Sequence, residues 1–277
     1  MQLNRQFQSS NINLSYLQWD KGTKPLLLLH GMADSSLVWS SLGNALAEEY
    51  QIIAPDLRGH GASSKPQTGY RALDIIRDLE ALMDDLGWQS AHILGHSWGG
   101  KIAALWANNR PERFNSLILV DPFYVGKLPS WLKITFPLLY RVLPFLQGMK
   151  PYPTYLAAEA AAKSLKQYRG WSELQQQVFR GSIEQKSDGS WSSKFPIVAR
   201  DGIFADVMNF ASFSKQIDVP TLLVKFDRGL NRSQWQFKPY YRYLSDLEIK
   251  EITGNHWAFL TNSAEFNRGI KSYLDDK

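Results

Sequence analysis

Cysteine is absent from all 277 residues, which rules out disulfides, thiolate nucleophiles and cysteine metal sites. Such a composition suits a reducing compartment, and the expectation is a cytoplasmic protein. The polar, mixed first twenty residues lack the basic-then-apolar pattern of a secretory leader. No apolar run reaches the roughly 18 uncharged residues of a spanning helix. The nearest, residues 128–147, is broken by Lys133, Pro137, Arg141 and Pro144. Only five histidines occur, and they are scattered without the His/Asp/Glu spacing of a metal site. A glycine-rich phosphate loop is missing too, so neither a metal nor an organic cofactor is expected. The net charge of +5 is concentrated in residues 122–205, where 11 Lys/Arg face 5 Asp/Glu. Those charges are dispersed among aromatics, which reads as a solvated face and offers no nucleic-acid site.

What is present is an alternation. Residues 12–19, 26–29, 51–54, 91–94, 116–121, 219–224 and 247–252 read as strands. Between them lie helical patterns at 37–50 and at Leu73, Ile76, Leu79, Met83 and Leu86, where apolar residues recur every three or four positions. Such alternation argues for a mostly parallel, doubly wound sheet covered on both faces. It stops after Asp121. Residues 123–205 are rich in Trp, Tyr, Phe, Leu and Pro, with helical stretches and no clear strand. The economical division is a core of residues 1–122 and 206–277, interrupted by a helical lid at 123–205. Trp131, Phe136, Leu138, Leu139, Tyr140, Phe145, Tyr152 and Tyr155 give the lid an apolar first half, suited to a hydrophobic acyl or alcohol group. Lys127, Lys133 and Arg141 among them leave room for weak contact with a membrane surface.

The most informative motif is Gly95-His96-Ser97-Trp98-Gly99-Gly100, set between a strand pattern and a helical one. A strand, a tight turn with serine at its apex and a helix make a nucleophile elbow. The helix N-terminus behind the serine favours an oxyanion. Three further motifs follow strands in order: His30-Gly31-Met32, Pro55-Asp56-Leu57-Arg58-Gly59-His60-Gly61, and Gly254-Asn255-His256.

In this order the four motifs resemble the α/β-hydrolase superfamily over nearly the whole chain outside the lid. The resemblance implies an α/β-hydrolase fold with a Ser-His-Asp triad and no cofactor. Ser97 is then the nucleophile and His256 its base, with backbone N–H groups of Met32 and Trp98 as the oxyanion hole. The Trp98 indole is expected near the substrate, as in haloalkane dehalogenases and proline iminopeptidase-like enzymes. His30, His60, His92 and His96 read as structural, the last with its side chain leaving the turn on another side. Dehalogenases and epoxide hydrolases of the superfamily carry Asp where Ser97 stands, which argues against both chemistries.

The triad acid is less plainly marked. Most serine members place it in a Gly-x-x-Asp loop after the strand matching residues 220–224. This chain has Lys225-Phe226-Asp227-Arg228-Gly229-Leu230-Asn231 there, with Asp227 two residues early. Asp121 lies 24 residues after Ser97, the separation for an acid at the preceding strand end. Asp121 and Asp227 therefore stand as alternatives, with spacing tipping the choice slightly to Asp121. The leading expectation is a carboxylesterase-like serine hydrolase of a hydrophobic small molecule. Its rivals are a ligand receptor and a lyase-like enzyme on the same scaffold.

Overall fold

A strand buried on both faces needs apolar side chains at every position, and Leu26, Leu27, Leu28 and Leu29 supply four in a row, all fully buried. In the computed structural model, which describes residues 2–9, 12–127, 131 and 149–277, this run lies near the middle of an eight-stranded sheet. In chain order the elements are β1 (Leu3–Gln8), β2 (Asn13–Trp19), β3 (Lys24–Leu29), α1 (Ser40–Leu46), β4 (Tyr50–Pro55), α2 (Ala72–Asp85), β5 (Ala91–His96), α3 (Ser97–Asn109) and β6 (Phe114–Val120). There follow α4 (Tyr155–Lys163), α5 (Glu173–Ser182), β7 (Ile183–Gln185), β8 (Trp191–Ser193) and α6 (Ile197–Val207). The chain ends with β9 (Thr221–Arg228), α7 (Gln234–Tyr243), β10 (Leu247–Asn255), α8 (Ala258–Thr261) and α9 (Ser263–Asp275).

The sheet order is β1-β2-β4-β3-β5-β6-β9-β10, parallel throughout except where β2 meets β1 and β4. Alternate residues of each strand feed two cores. Leu27 and Leu29 join Ile75, Leu79 and Leu82 of α2 and Ile102 of α3 on one face. Leu26 and Leu28 join Leu42 of α1 and Phe266 and Ile270 of α9 on the other. The fold is the α/β-hydrolase arrangement expected, a mostly parallel sheet with helices on both sides.

Three details differ from the sequence reading. The polar segment Leu3–Gln8 is a strand, held by antiparallel pairing to β2 with only Phe7 of its side chains buried. The segment 123–205 holds a short hairpin, β7–β8, which stays outside the main sheet; strands of three residues are too short to show a period. Helix α6 crosses position 205 and buries Ile203, Phe204 and Val207 in the core it shares with α2. Phe136, Leu138, Leu139, Tyr140 and Phe145, with Lys133 and Arg141 and most of the 128–147 run, lie outside the described residues. No helix among the described residues is long and apolar enough to cross a membrane.

The two connections between the sheet and the β6–β9 insertion meet at a buried lysine. Lys101 of α3 has no exposed surface, and its Nζ donates to the Tyr124 and Gly126 carbonyls at 2.9 and 3.1 Å. The Ser212 hydroxyl donates to the Lys101 carbonyl at 2.9 Å, and Ser212 N–H to the Val125 carbonyl at 2.7 Å. Burial pulls the Lys101 ammonium from its ordinary 10.5 to about 7. Below about pH 7 both folded and unfolded chains carry that proton. Between about 7 and 10.5 only the unfolded chain does, so stability rises with pH across that window. Replacing Lys101 with Met should remove this rise. The wild type should therefore gain on K101M in urea unfolding as pH climbs from 7 to 10, and a pH-independent difference would contradict the assignment.

Candidate active site

The parallel strands β5, β6, β9 and β10 all run the same way, so the loops after them gather at one edge of the sheet. Ser97 follows β5 directly and opens α3 with φ of 53°, a left-handed conformation that costs a non-glycine residue energy. The turn is tight enough to require its glycines. A Cβ on Gly95 would lie 2.5 Å from the Gly99 carbonyl oxygen, and one on Gly99 would lie 2.5 Å from the His30 carbonyl oxygen. Ser97 is half-buried, and Trp98 sits in the first turn of α3, whose N–H groups have no partner inside the helix.

Asp121 and His256 are brought together. His256 follows β10, and its Nδ1 lies 2.6 Å from Asp121 Oδ2. With that nitrogen donating, Nε2 is left as the acceptor of the ring. Asp121 is fully buried and itself adopts φ of 38°. Its carboxylate also accepts from Leu230 N–H at 2.8 Å, Asn231 N–H at 3.2 Å and Asn231 Nδ2 at 3.0 Å. Four N–H groups thus replace the water that a buried carboxylate gives up. Gly229 makes room for it, because a Cβ there would sit 2.4 Å from Asp121 Oδ2.

Asp227 is placed elsewhere. β9 continues through the residues expected to form a loop and carries Asp227 near its exposed end. There Asp227 accepts from Gly254 N–H at 2.6 Å and lies 3.5 Å from Arg228 Nε; the backbone bond and Arg228 hold its carboxyl below the usual range. The Trp98 indole is packed inside the protein. It is 3% exposed and stacks on His60 at 5.5 Å, and His60 in turn stacks on Phe195 of the insertion at 4.4 Å. His96 points the way least foreseen: its ring packs 4.4 Å from the His256 ring, and its Nε2 lies 2.9 Å from the His256 carbonyl.

The loop after β3 brings a residue that sequence reasoning passed over. Met32, Ala33 and Asp34 border a cavity of about 50 Å³ whose lining also includes Tyr152, Gln167 and Tyr168 of the insertion. Asp34 follows Ala33, whose φ is 65°, and it is pushed up to about 7 by burial despite a bond from the Trp257 side chain. The one available signal was its place four residues after His30. Among the described residues no group of three His, Asp or Glu could hold a metal.

The sequence model of the alpha/beta hydrolase fold matches residues 24–263. The chain belongs to that family. It is 39% identical over 97 residues to a soluble epoxide hydrolase of Corynebacterium sp. (strain C12), a match covering 35% of this chain and 34% of that protein. It is 24% identical over 268 residues to a fluoroacetate dehalogenase of Burkholderia sp., covering 91% and 87% of the two chains. In the soluble epoxide hydrolase and in an uncharacterized protein of Mycobacterium tuberculosis, the chain spans about a third of the relative's length. Among solved structures, E-2-(acetamidomethylene)succinate hydrolase superposes with a TM-score of 0.81 at 20% identity, covering 99% of this chain and 100% of that one.

The buried carboxyl of this α/β hydrolase has a measurable cost. Below pH 3.8 Asp34 is protonated folded or unfolded, and between 3.8 and about 7 only the folded chain keeps the proton. Stability is therefore lost as pH rises through that window, with the whole penalty in place above it. D34N cannot titrate. Its stability relative to wild type should grow from about pH 4 to about pH 7 and then level off, as thermal unfolding would reveal. A difference that shrinks over this range would overturn the burial argument.

Proposed function

We propose that this chain is a cofactor-independent serine hydrolase acting on an ester or related acyl bond of a hydrophobic small molecule. The observation that carries the reading is the 2.6 Å contact of His256 Nδ1 with Asp121 Oδ2, paired with a serine at the apex of the elbow. A serine hydroxyl is too weakly acidic to attack unaided at neutral pH. In this reading His256 Nε2 takes the Ser97 proton as Oγ attacks the carbonyl carbon, and the Met32 and Trp98 N–H groups receive the oxyanion. Asp121 keeps His256 in the required tautomer and stabilises its cation. Collapse expels the alcohol, which takes the proton from His256 and leaves an acyl-Ser97. Water, deprotonated by His256, then releases the acid and restores the serine.

The serine separates this chain from the aspartate chemistry of epoxide hydrolases and dehalogenases, whose names occur among its relatives. An acid at the end of β6 accompanies a serine nucleophile here. In this reading the β6–β9 insertion serves as the lid, supplying the aromatic side chains of Tyr152, Tyr168 and Phe179 to the cavity beside Met32. A cytoplasmic setting suits the cysteine-free composition.

Two measurements test this. A fluorophosphonate should label Ser97, with labelling absent in S97A and greatly reduced in H256A. On short p-nitrophenyl esters D121N should lose up to about 10⁴ in kcat. D227N should keep the same order of activity, since an asparagine Oδ1 still accepts from Gly254. Equal labelling of wild type and S97A would refute the nucleophile, and full activity in D121N would refute the acid. Ligand stabilisation without turnover would point to a receptor.

A further inference from the structure

Against the back of His256 lies a second pair, the buried His96 beside the half-buried Asp34. His96 Nε2 faces the His256 carbonyl at 2.9 Å, and a carbonyl only accepts, so Nε2 carries the hydrogen. Burial and the adjacent His256 push the His96 imidazole far below its ordinary range, so the ring is neutral and Nδ1 has only a lone pair to offer. Nδ1 is buried and has no hydrogen-bond partner. The polar group it faces is Asp34, whose Oδ2 lies 3.7 Å away. That is about 0.5 Å more than a hydrogen bond spans. A carboxylate cannot fill the vacancy, because two lone pairs would oppose each other, whereas a carboxylic acid can. Gly31 keeps the space between the two clear: a Cβ there would sit 2.8 Å from His96 Nδ1 and 3.1 Å from Asp34 Oδ2.

We propose that Asp34 and His96 are positioning residues for the base: Asp34 in its acid form donates to His96 Nδ1, committing His96 Nε2–H to the His256 carbonyl. This inference rests on His256 acting as the base. The groups facing the pair are few. Trp257 donates to Asp34 from the loop after β10, Tyr168 of the insertion lines the same cavity as Asp34, and His30 and His256 act on His96 from the loops after β3 and β10. None is a lysine or arginine that would hold Asp34 ionised, in keeping with its rise to about 7. Ionisation of Asp34 draws the ring proton of His96 to Nδ1. Nε2 then turns a lone pair on the His256 carbonyl, and the backbone beneath the base loses its anchor. The strained φ of 65° at Ala33 fits a residue whose neighbour must be held in place.

The test combines tautomer spectroscopy with kinetics. Two-dimensional nitrogen–proton spectra of the intact wild-type protein should show His96 as the neutral Nε2–H tautomer at about pH 6, shifting as Asp34 ionises near pH 7. On p-nitrophenyl esters the kcat profile should fall on its alkaline side in the wild type. D34N, whose amide donates without titrating, should stay flat on that side to about pH 9. D34A should lose about tenfold in kcat with KM nearly unchanged, the size expected for one buried hydrogen bond. An Nδ1–H tautomer at pH 6, an alkaline limb that survives in D34N, or an undiminished kcat in D34A would each overturn the proposal. The spectra need no turnover, so they fail or succeed apart from the serine-hydrolase reading, which stands on fluorophosphonate labelling.

Discussion

The contact between His256 Nδ1 and Asp121 Oδ2 joins residues 135 positions apart, and much of the molecule is arranged so that it can form. It needs β6, β9 and β10 adjacent and parallel, so that their following loops share one edge of the sheet. The middle loop supplies the Leu230 and Asn231 donors that make a dry carboxylate tolerable, and Gly229 supplies the space. A buried charge without such donors would cost several kcal/mol. The φ values of 53° at Ser97 and 38° at Asp121 are strain that the surrounding packing sustains at this edge.

Burial sorts the five histidines by chemistry. His92 inside β5 bonds to the Ser116 hydroxyl and is held down to about 4 by burial. His30 accepts from Leu57 N–H at 3.0 Å, and His60 is sandwiched between Trp98 and Phe195; burial lowers both. His96 is equally buried but touches His256 directly. His256 alone of the five is not fully buried, with 12% of its side chain exposed. That access is what the proposed role of His256 as a base requires. The Trp98–His60–Phe195 stack also joins the elbow to the insertion, so the β6–β9 insertion and the turn that carries the serine share one aromatic seam.

The likeness to proteins named as epoxide hydrolases and dehalogenases goes with the shared family and fold. The same strand ends can present an aspartate or a serine, and the reacting atom decides what chemistry the site can run. A side chain at one position can thus part a chain from relatives that share its fold over most of its length.

The sequence by itself determined the layered architecture, because apolar runs and helical periods are local and each must bury its own face. It also marked Ser97 and His256 as candidates, since the elbow is written in adjacent glycines and the last motif in a short loop. It left Asp121 and Asp227 as alternatives for the acid, with spacing tipping the choice only slightly to Asp121. Tertiary structure decided where each one lies: β9 runs on through Arg228, which carries Asp227 to the surface, while Asp121 is buried beside His256. Likewise β1, whose side chains are mostly exposed, exists only through pairing with β2. The direction of the Trp98 indole, the place of His96 against His256 and the burial of Asp34 are products of packing between distant segments. No pattern within one segment encodes them, because each depends on which loops the sheet order makes neighbours.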